Sequence, residues 1–164
     1  MSMRSLIGVL TASYLLVVAG CSDNTQPTGM PKLIPVTVTV TQGGTPLEGA
    51  TVQLIALDSA NSQWAAGGST DAAGVANFVT LGQYQGVAPG KYKVTVSKSV
   101  SEGGPSAVAV DSPSSISTTK TFLLVDPKFQ SFETTPLEIE VTEASMVLDT
   151  IDVGVPIKIE QKLG

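Results

Sequence analysis

The chain has 164 residues, a single cysteine, no histidine and a net charge of −5 from nine basic and fourteen acidic side chains. The lack of histidine excludes Ser-His-Asp and Cys-His catalysis and the usual zinc sites. The acidic balance argues against nucleic acid as a partner, and the length is that of about one domain.

Residues 1–20 have the layout of a secretory signal peptide. Arg4 supplies one positive charge, and residues 6–20 contain no charged side chain. The apolar run is shorter than the stretch of about 18 residues that usually spans a bilayer. A permanent transmembrane helix is therefore the weaker interpretation.

The apolar run ends in Val18-Ala19-Gly20-Cys21. These residues resemble the lipobox of bacterial lipoproteins, where a cysteine is lipidated on sulfur and becomes the new N-terminus. The resemblance implies that Cys21 carries palmitate or related acyl chains and that a membrane is one partner, held by about 0.8 kcal/mol per buried methylene. Ordinary secretion and an uncleaved anchor are the alternatives. Ser22 is not an aspartate, and by resemblance to enteric sorting rules this favours the outer membrane of a two-membrane cell.

The mature chain divides into a short tether and one domain. Residues 21–31 comprise the lipidated cysteine and a polar, Pro- and Gly-containing stretch with little to bury, which predicts a flexible tether. The domain occupies residues 32–164. It begins with residues 36–41, whose strict apolar and polar alternation predicts a strand, and Gly43-Gly44 then predicts a turn.

The next elements are a strand, a loop and a tight turn. Residues 51–56 predict a strand with Val52, Leu54 and Ala56 on its inner face. Residues 58–68 predict a polar loop. Residues 69–74 predict a turn in which the Asp71 side chain bonds nearby backbone and Gly74 takes a positive φ.

A third strand is predicted at residues 75–81, and the clearest strand follows at residues 90–98. Its alternation places one set of side chains inward, Tyr92, Val94 and Val96, and another set in water, Lys91, Lys93 and Thr95. Residues 99–118 are rich in Ser, Gly and Pro and predict a long loop with a short strand at 108–110. Further strands are predicted at residues 121–125, 137–142, 146–153 and 156–161. Short strands between Gly and Pro turns predict an all-β, antiparallel sandwich of the immunoglobulin-like or prealbumin-like type, with about seven strands.

Three blocks, "VTQGGTPLEGATVQLI", "GGSTDAAGVANF" and "APGKYKVTVSK", occur in this order between residues 36 and 98. They resemble the carboxypeptidase regulatory-like domain, a small sandwich related to the transthyretin-like fold. The segment "DPKFQSFETTPLEIEV" is similar to the end of short envelope lipoproteins built on this domain. The resemblance implies a domain without catalytic residues of its own, in which a few positions shape the backbone of turns: Gly49, Asp71, Gly74 and Gly90.

Several side chains are candidates for binding or catalysis. Trp64 and Tyr84 are candidates for an aromatic platform that binds a sugar ring, although a role for Trp64 in covering the core is favoured. Aspartates are candidates for calcium ligands but match no calcium-loop spacing, so turn or surface roles are favoured: Asp71, Asp111, Asp126, Asp149 and Asp152. Glu138 and Glu140, with Glu143 behind them, suit the wet face of a sheet better than an acid-base pair. Ser97 and Lys98 are adjacent on a strand and make a poor catalytic dyad.

These patterns favour a non-catalytic, membrane-anchored envelope lipoprotein that binds another envelope protein or a surface polymer. A carbohydrate-binding module that uses Trp64 and Tyr84 is the alternative, and a hydrolase accessory is less favoured. No cofactor and no metal site are expected.

Overall fold

The computed structural model describes residues 26–103, 119–144 and 150–161. Within these ranges the chain forms thirteen short strands and one 3-10 helix, Pro127–Phe129. The strands are β1 Thr37–Gln42, β2 Thr45–Pro46, β3 Thr51–Ala56, β4 Ala66–Ser69, β5 Val75–Asn77, β6 Val79–Thr80, β7 Tyr84–Gln85, β8 Gly90–Ser97, β9 Ser99–Glu102, β10 Lys120–Leu123, β11 Glu138–Val141, β12 Ile151–Asp152 and β13 Ile159–Gln161.

The described strands form three sheets. The largest has six strands in the order β11-β8-β3-β4-β6-β7. The second has the order β12-β1-β2, with β5 also paired to β1, and the third has the order β13-β10-β9. All pairs are antiparallel except β1 with β12, where Val40 lies opposite Ile151. The prediction of an all-β sandwich of mainly antiparallel strands is confirmed, although the described residues form thirteen short strands and not about seven.

The core forms because alternate residues of the long strands are apolar and point to one side. In β3 the buried residues are Val52 and Leu54, while Thr51 and Gln53 are exposed. Inward side chains of β8 and β1 join these in one cluster: Tyr92, Val94, Val96, Val38 and Val40. Each of these five residues is fully buried. The apolar residues whose alternation predicted β3 and β8 are therefore the residues that form the core.

The first hairpin turns at the two glycines that the sequence indicates. Gly43 and Gly44 have φ values of 59° and 79° and join Gln42 to its cross-strand partner Thr45. Positive φ at both central residues is the requirement of a type I′ turn, which glycine meets without steric cost.

Two segments predicted as loops contain strands. The predicted loop 58–68 ends in β4, whose residues Gly67 and Gly68 lie opposite Gln53 and Val52 of β3. The predicted loop 99–118 begins with β9, which pairs with β10. Glycine and serine carry little strand propensity, so neighbouring strands decide the conformation of both segments. The predicted short strand at 108–110 lies outside the described residues, as does the first half of the predicted strand 146–153, whose second half contains β12.

Two further expectations differ in detail. The predicted strand 75–81 is divided at Phe78, because β5 pairs with β1 whereas β6 pairs with β4. Thr95, expected to face water, is buried. The segment that follows the 3-10 helix lies against this part of β8: the Thr135 hydroxyl donates to the carbonyl of Val94 at 2.6 Å, and the Val94 N–H donates to the carbonyl of Leu137 at 2.9 Å.

Candidate functional site

The chain joins the sandwich at one end, which we call the proximal end and define by Leu33, Ile34 and Val87. All three side chains are buried. Ile34 and Val87 exchange two backbone hydrogen bonds of 2.8 and 2.9 Å. β1 begins three residues after Ile34, where Thr37 lies opposite Asn77. The chain that precedes Lys32 therefore enters the sandwich at the proximal end.

The opposite end carries the third sheet, β9, β10 and β13, which we call the distal sheet. Gln42, the last residue of β1, donates its side-chain amide to the carbonyl of Leu124 at 2.7 Å. Leu124 directly follows β10, and its N–H donates to the carbonyl of Lys98 at 2.9 Å. β1 has six residues, and at a rise of about 3.4 Å per residue it separates the two ends by about 20 Å. The distal sheet thus lies at the end of the sandwich away from Leu33 and Ile34.

One face of the distal sheet is organised around Phe122. The Nζ atom of Lys158 lies 4.5 Å from the centroid of the Phe122 ring and 2.6 Å from a carboxylate oxygen of Glu102. Lys120 and Glu160 form a second ion pair at 3.0 Å. The four charged side chains are about half exposed. Each ion pair joins one positive and one negative charge, so the four charges on this face sum to zero. Each exposed pair contributes little to stability by itself.

The distal end also exposes apolar side chains. Val155 is 72% exposed, and Ile159 of β13 is 45% exposed. β9 and β13 are the two outer strands of the distal sheet, and in the described parts of the chain no strand pairs with their outer edges. Exposed strand edges present unpaired N–H and C=O groups, which suit them to pairing with another chain.

A second concave surface lies on the outer face of the six-stranded sheet. It is a shallow depression of about 410 Å³, and Gly67 supplies no side chain to fill it. Gln53 and Val79 lie on either side of Gly67 in the pairing register, with Thr51 and Ser69 further along the same strands. None of these side chains is charged, so this surface offers hydrogen bonds and apolar contact to a ligand but no ionic attraction.

The two aromatic residues predicted as a sugar platform do not form one. Trp64 is only 7% exposed and therefore presents no open ring face to solvent. Tyr84 is half-buried in β7, whereas Trp64 lies two residues before β4, and β6 separates β4 from β7 in the sheet. The carbohydrate-binding alternative loses the exposed pair of rings that it requires.

The residues assigned to turns have backbone roles in the structure. The Oδ1 atom of Asp71 accepts the N–H groups of Ala73 and Val75, both at 2.9 Å. Gly49, Gly74 and Gly90 have φ values of 66°, 75° and 154°. At Gly74 a side chain would also collide with the carbonyl of Val40.

Three further carboxylates, Asp126, Glu133 and Asp152, accept hydrogen bonds within the chain. Asp126 caps the 3-10 helix by accepting the N–H of Lys128 at 2.9 Å. The N–H of Gly44, the hydroxyl of Thr41 and the N–H of Gly154 lower the pKa of Asp152, in that order of importance. The Ser131 hydroxyl is the main cause that lowers the pKa of Glu133.

The carboxylates do not gather into a cation site in the part of the chain that is described. No group of three His, Cys, Asp or Glu side chains within it is placed to hold a metal ion. Asp71 and the two aspartates above therefore have local roles, whereas Asp111 and Asp149 lie outside the described residues.

The other catalytic candidates are exposed or half-buried residues of the sheet surface. Glu138 and Glu140 of β11 lie opposite Lys93 and Lys91 of β8, which is an arrangement of opposite charges across two strands. The exposed Glu143 follows this strand. Lys98 donates to the carbonyl of Glu48 at 2.6 Å, and Ser97 lies opposite Thr51. These contacts are typical of a solvated sheet face.

Cys21 lies outside the described residues. Within the residues that are described, the structure contains no helix of sufficient length and apolarity to cross a membrane.

The sequence matches no known protein family and no curated protein. Among solved structures, the chain is similar to BcpA, the major pilin subunit of Bacillus cereus, with 14% sequence identity and a TM-score of 0.38. The alignment covers 81% of this chain and 31% of the pilin subunit, so the chain spans less than a third of that protein's length. A likeness at this level assigns no function.

Proposed function

We propose that this protein is a non-catalytic lipoprotein of the bacterial envelope, anchored through acyl chains on Cys21, which presents the distal sheet to a partner. The partner is another envelope protein or a surface polymer. The observation that carries the proposal is the position of the distal sheet at the end of the sandwich opposite the tether. An anchor at the proximal end points this sheet away from the membrane.

The sequence before the domain supports the anchor. The lipobox-like residues Val18-Ala19-Gly20-Cys21 follow an uncharged run, and a polar tether separates them from Leu33, the first buried apolar residue of the described chain. A tether of about eleven residues reaches at most about 35 Å when extended. This length lets the domain stand clear of lipid headgroups.

The domain assignment is part of the proposal. Residues 1–20 are the signal peptide, residues 21–31 the lipidated cysteine and tether, and residues 32–164 a carboxypeptidase regulatory-like domain. The positions that support this assignment are the β1–β2 turn, the turn at Asp71, and Gly90 at the start of β8. Ser22 favours the outer membrane where the cell has two membranes.

The anchor is tested by measuring the intact mass of the protein purified from its native membrane. We expect the mass of residues 21–164 plus acyl chains, and we expect Cys21→Ala to remain unlipidated and to leave the membrane fraction. An unlipidated mass for the natural protein contradicts the anchor.

The orientation is tested separately in vesicles that carry a fluorescence quencher on the lipid headgroups. Single thiols for the dye are introduced at the proximal end, Lys32→Cys, and at the distal end, Val155→Cys, in the lipidated protein. We expect strong quenching at position 32 and weak quenching at position 155. Equal quenching at both positions contradicts a distal sheet that points away from the membrane.

Docking through the distal sheet is tested with a photoreactive amino acid at position 101, in the centre of β9. The matched control places the same amino acid at position 57, an exposed site just after β3 at the proximal side of the sandwich. We expect covalent adducts with one envelope component at position 101 that are absent at position 57. Identical adducts from both positions would show that the distal sheet is not the docking surface.

A further inference from the structure

β13 is an outer strand of the distal sheet with a self-complementary sequence. It pairs with β10 on one side, where Leu123, Phe122 and Thr121 lie opposite Ile159, Glu160 and Gln161. On its other side no strand of the described chain is paired. Charged side chains are one of the features that protect edge strands from pairing with other chains. Across the start of β13 the charges alternate in sign around an exposed apolar residue: Lys158 directly precedes the strand, and Ile159 and Glu160 are its first two residues.

The alternation along the strand sorts these three side chains by face. Lys158 and Glu160 point to the same face as Phe122, and Ile159 points to the opposite face. Lys158 reaches across this face to Glu102, and Glu160 contacts Lys120. Ile159 is 45% exposed on the other face.

We infer that β13 pairs antiparallel with β13 of a second copy of this chain, about a two-fold axis that passes through Ile159. This register places Ile159 opposite Ile159 of the second copy. It also places Lys158 opposite Glu160 of the second copy, and Glu160 opposite its Lys158. The two distal sheets then form one continuous sheet across the two copies.

Other antiparallel registers of the same strand lack this complementarity. A two-fold axis through Glu160 places two carboxylates opposite each other, and an axis through Lys158 places two ammonium groups opposite each other. An axis between Ile159 and Glu160 is not possible, because directly opposed residues of an antiparallel pair point to the same face and these two residues point to opposite faces. Directly opposed like charges destabilise a strand pair, whereas opposite charges stabilise it. Charge complementarity thus selects both the second copy and the register.

The pairing extends the charge network of the distal sheet. Within one copy, Glu102 contacts Lys158 and Lys120 contacts Glu160. In the pair, Lys158 lies between Glu102 of its own copy and Glu160 of the second copy. The charges on the face around Phe122 then alternate in sign in this order: Glu102 and Lys158 of one copy, then Glu160 and Lys120 of the second copy.

The interface is small, since β13 contributes few residues on each side, and it belongs to the class of weak, transient contacts. Confinement of both copies to one membrane raises their effective concentration and favours such a contact. The pairing itself depends only on β13 and its neighbours. It therefore stands or fails independently of the proposed anchor.

The test is disulfide formation in the full-length protein, in its native membrane, after Ile159→Cys. Residues opposite each other on antiparallel strands lie within reach of a disulfide. The matched control is Val155→Cys, which is more exposed but lies outside β13. The natural protein, with Cys21 alone, gives the background. We expect several-fold more covalent dimer from Ile159→Cys than from either control. Equal amounts from all three would overturn the inference.

Two second-site variants in the Ile159→Cys protein test the register. Glu160→Lys places ammonium groups opposite each other across the axis, so we expect the dimer yield to fall to the level of the controls. Lys120→Glu breaks the same ion pair within one copy but leaves the opposed Lys158 and Glu160 unchanged, so we expect the yield to be retained. A loss with both variants, or with neither, contradicts this register. The intact mass of the same samples reports lipidation of Cys21 separately.

Discussion

The hydroxyl of Thr41 donates a hydrogen bond of 2.8 Å to Oδ2 of Asp152, a residue 111 positions away in the chain. The same carboxylate accepts the N–H of Gly44 at 3.0 Å and the N–H of Gly154 at 2.8 Å. β12 is attached to β1 through only two residue pairs, Val40 with Ile151 and Thr41 with Asp152. The carboxylate of Asp152 is therefore a main connection between the first hairpin and the strand that leads to the distal sheet.

Asp152→Asn is expected to destabilise the protein at neutral pH, because an amide cannot accept all three hydrogen bonds with the strength of a carboxylate. The folded-state pKa of Asp152 is lowered, first by the N–H of Gly44. Its stabilisation is thus present above the unfolded pKa and is lost as the pH falls through the folded pKa. Urea unfolding at neutral and at acidic pH should show a difference between Asp152→Asn and the natural protein that shrinks on acidification. Glu143→Gln, at an exposed carboxylate, serves as the control and should show no such convergence.

Tyr92 provides a prediction at alkaline pH. Its hydroxyl donates to the carbonyl of Ala88 at 2.7 Å, and the side chain is fully buried. Burial, together with the negative charge of Asp58, raises the pKa of Tyr92 from 10.0 to about 12. The neutral phenol is favoured in the folded state, so its stabilisation is complete below the unfolded pKa and is lost as the pH rises through the folded pKa.

Tyr92→Phe should therefore lower stability by about 1 kcal/mol at neutral pH, through the lost hydrogen bond. Above pH 10.0 the difference from the natural protein should diminish, because phenylalanine has no proton to lose. Chemical unfolding at a series of alkaline pH values measures this. Tyr84→Phe, at a half-buried tyrosine, is the control and should lose stability at alkaline pH as the natural protein does. If the free energy of unfolding of Tyr92→Phe falls with pH in parallel with that of the natural protein, Tyr92 is not the residue responsible.

The sequence predicts those parts of the fold in which side chains alternate. β3 and β8 are recognisable because Val52, Leu54, Tyr92 and Val94 recur with a period of two. β4 and β9 are not recognisable, because glycine and serine give no alternation. The conformation of these two strands comes from the partners that pair with them, and such partners are distant in the chain.

The distal sheet shows why a candidate site is harder to predict than a strand. Lys158 and Glu102 are 56 residues apart, and their contact depends on the register of three short strands. No spacing rule joins them in the sequence. Trp64 illustrates the reverse case: its residue type indicated a binding site, whereas burial gives it a structural role.

Leu81 adopts a strained backbone conformation. It is the only residue besides glycine with a positive φ in the described part of the chain, at 53°, and it is 43% exposed. With Gly82, at φ 73°, it forms the turn between β6 and β7. Type I′ turns favour Asn-Gly in these positions. A leucine held in this region costs about 1 to 2 kcal/mol.

Leu81→Asn should therefore raise the free energy of unfolding by about 1 kcal/mol. Leu81→Ala is the matched control, since it removes the exposed side chain but keeps a residue that disfavours a positive φ. Thermal and urea unfolding of the two variants separate relief of backbone strain from loss of an apolar side chain. Equal stabilisation by both variants would mean that the gain comes from removing the exposed leucine side chain and not from relief of backbone strain.

The adjacent glycines of β4 differ in the space around them. A Cβ atom on Gly68 would overlap the carbonyl oxygen of Asn77, whereas a Cβ atom on Gly67 would meet its nearest neighbour, the carbonyl oxygen of Val52, at 3.4 Å. Neither glycine has a φ in the left-handed region, so added volume is the main difference between the two substitutions. β4 and β5 must stay close together at Gly68 for the two larger sheets to pack.

Gly68→Ala is expected to lower the free energy of unfolding by about 1 to 3 kcal/mol, the usual cost of excess volume in a packed interior. Gly67→Ala should change it by less than about 1 kcal/mol, since alanine reduces the conformational entropy of the unfolded chain and suits a strand better than glycine. Urea unfolding measures both variants. The contrast is sharp because the positions are neighbours in one strand; an equal loss at both would mean that β4 requires glycine for its backbone and not for the approach of Asn77.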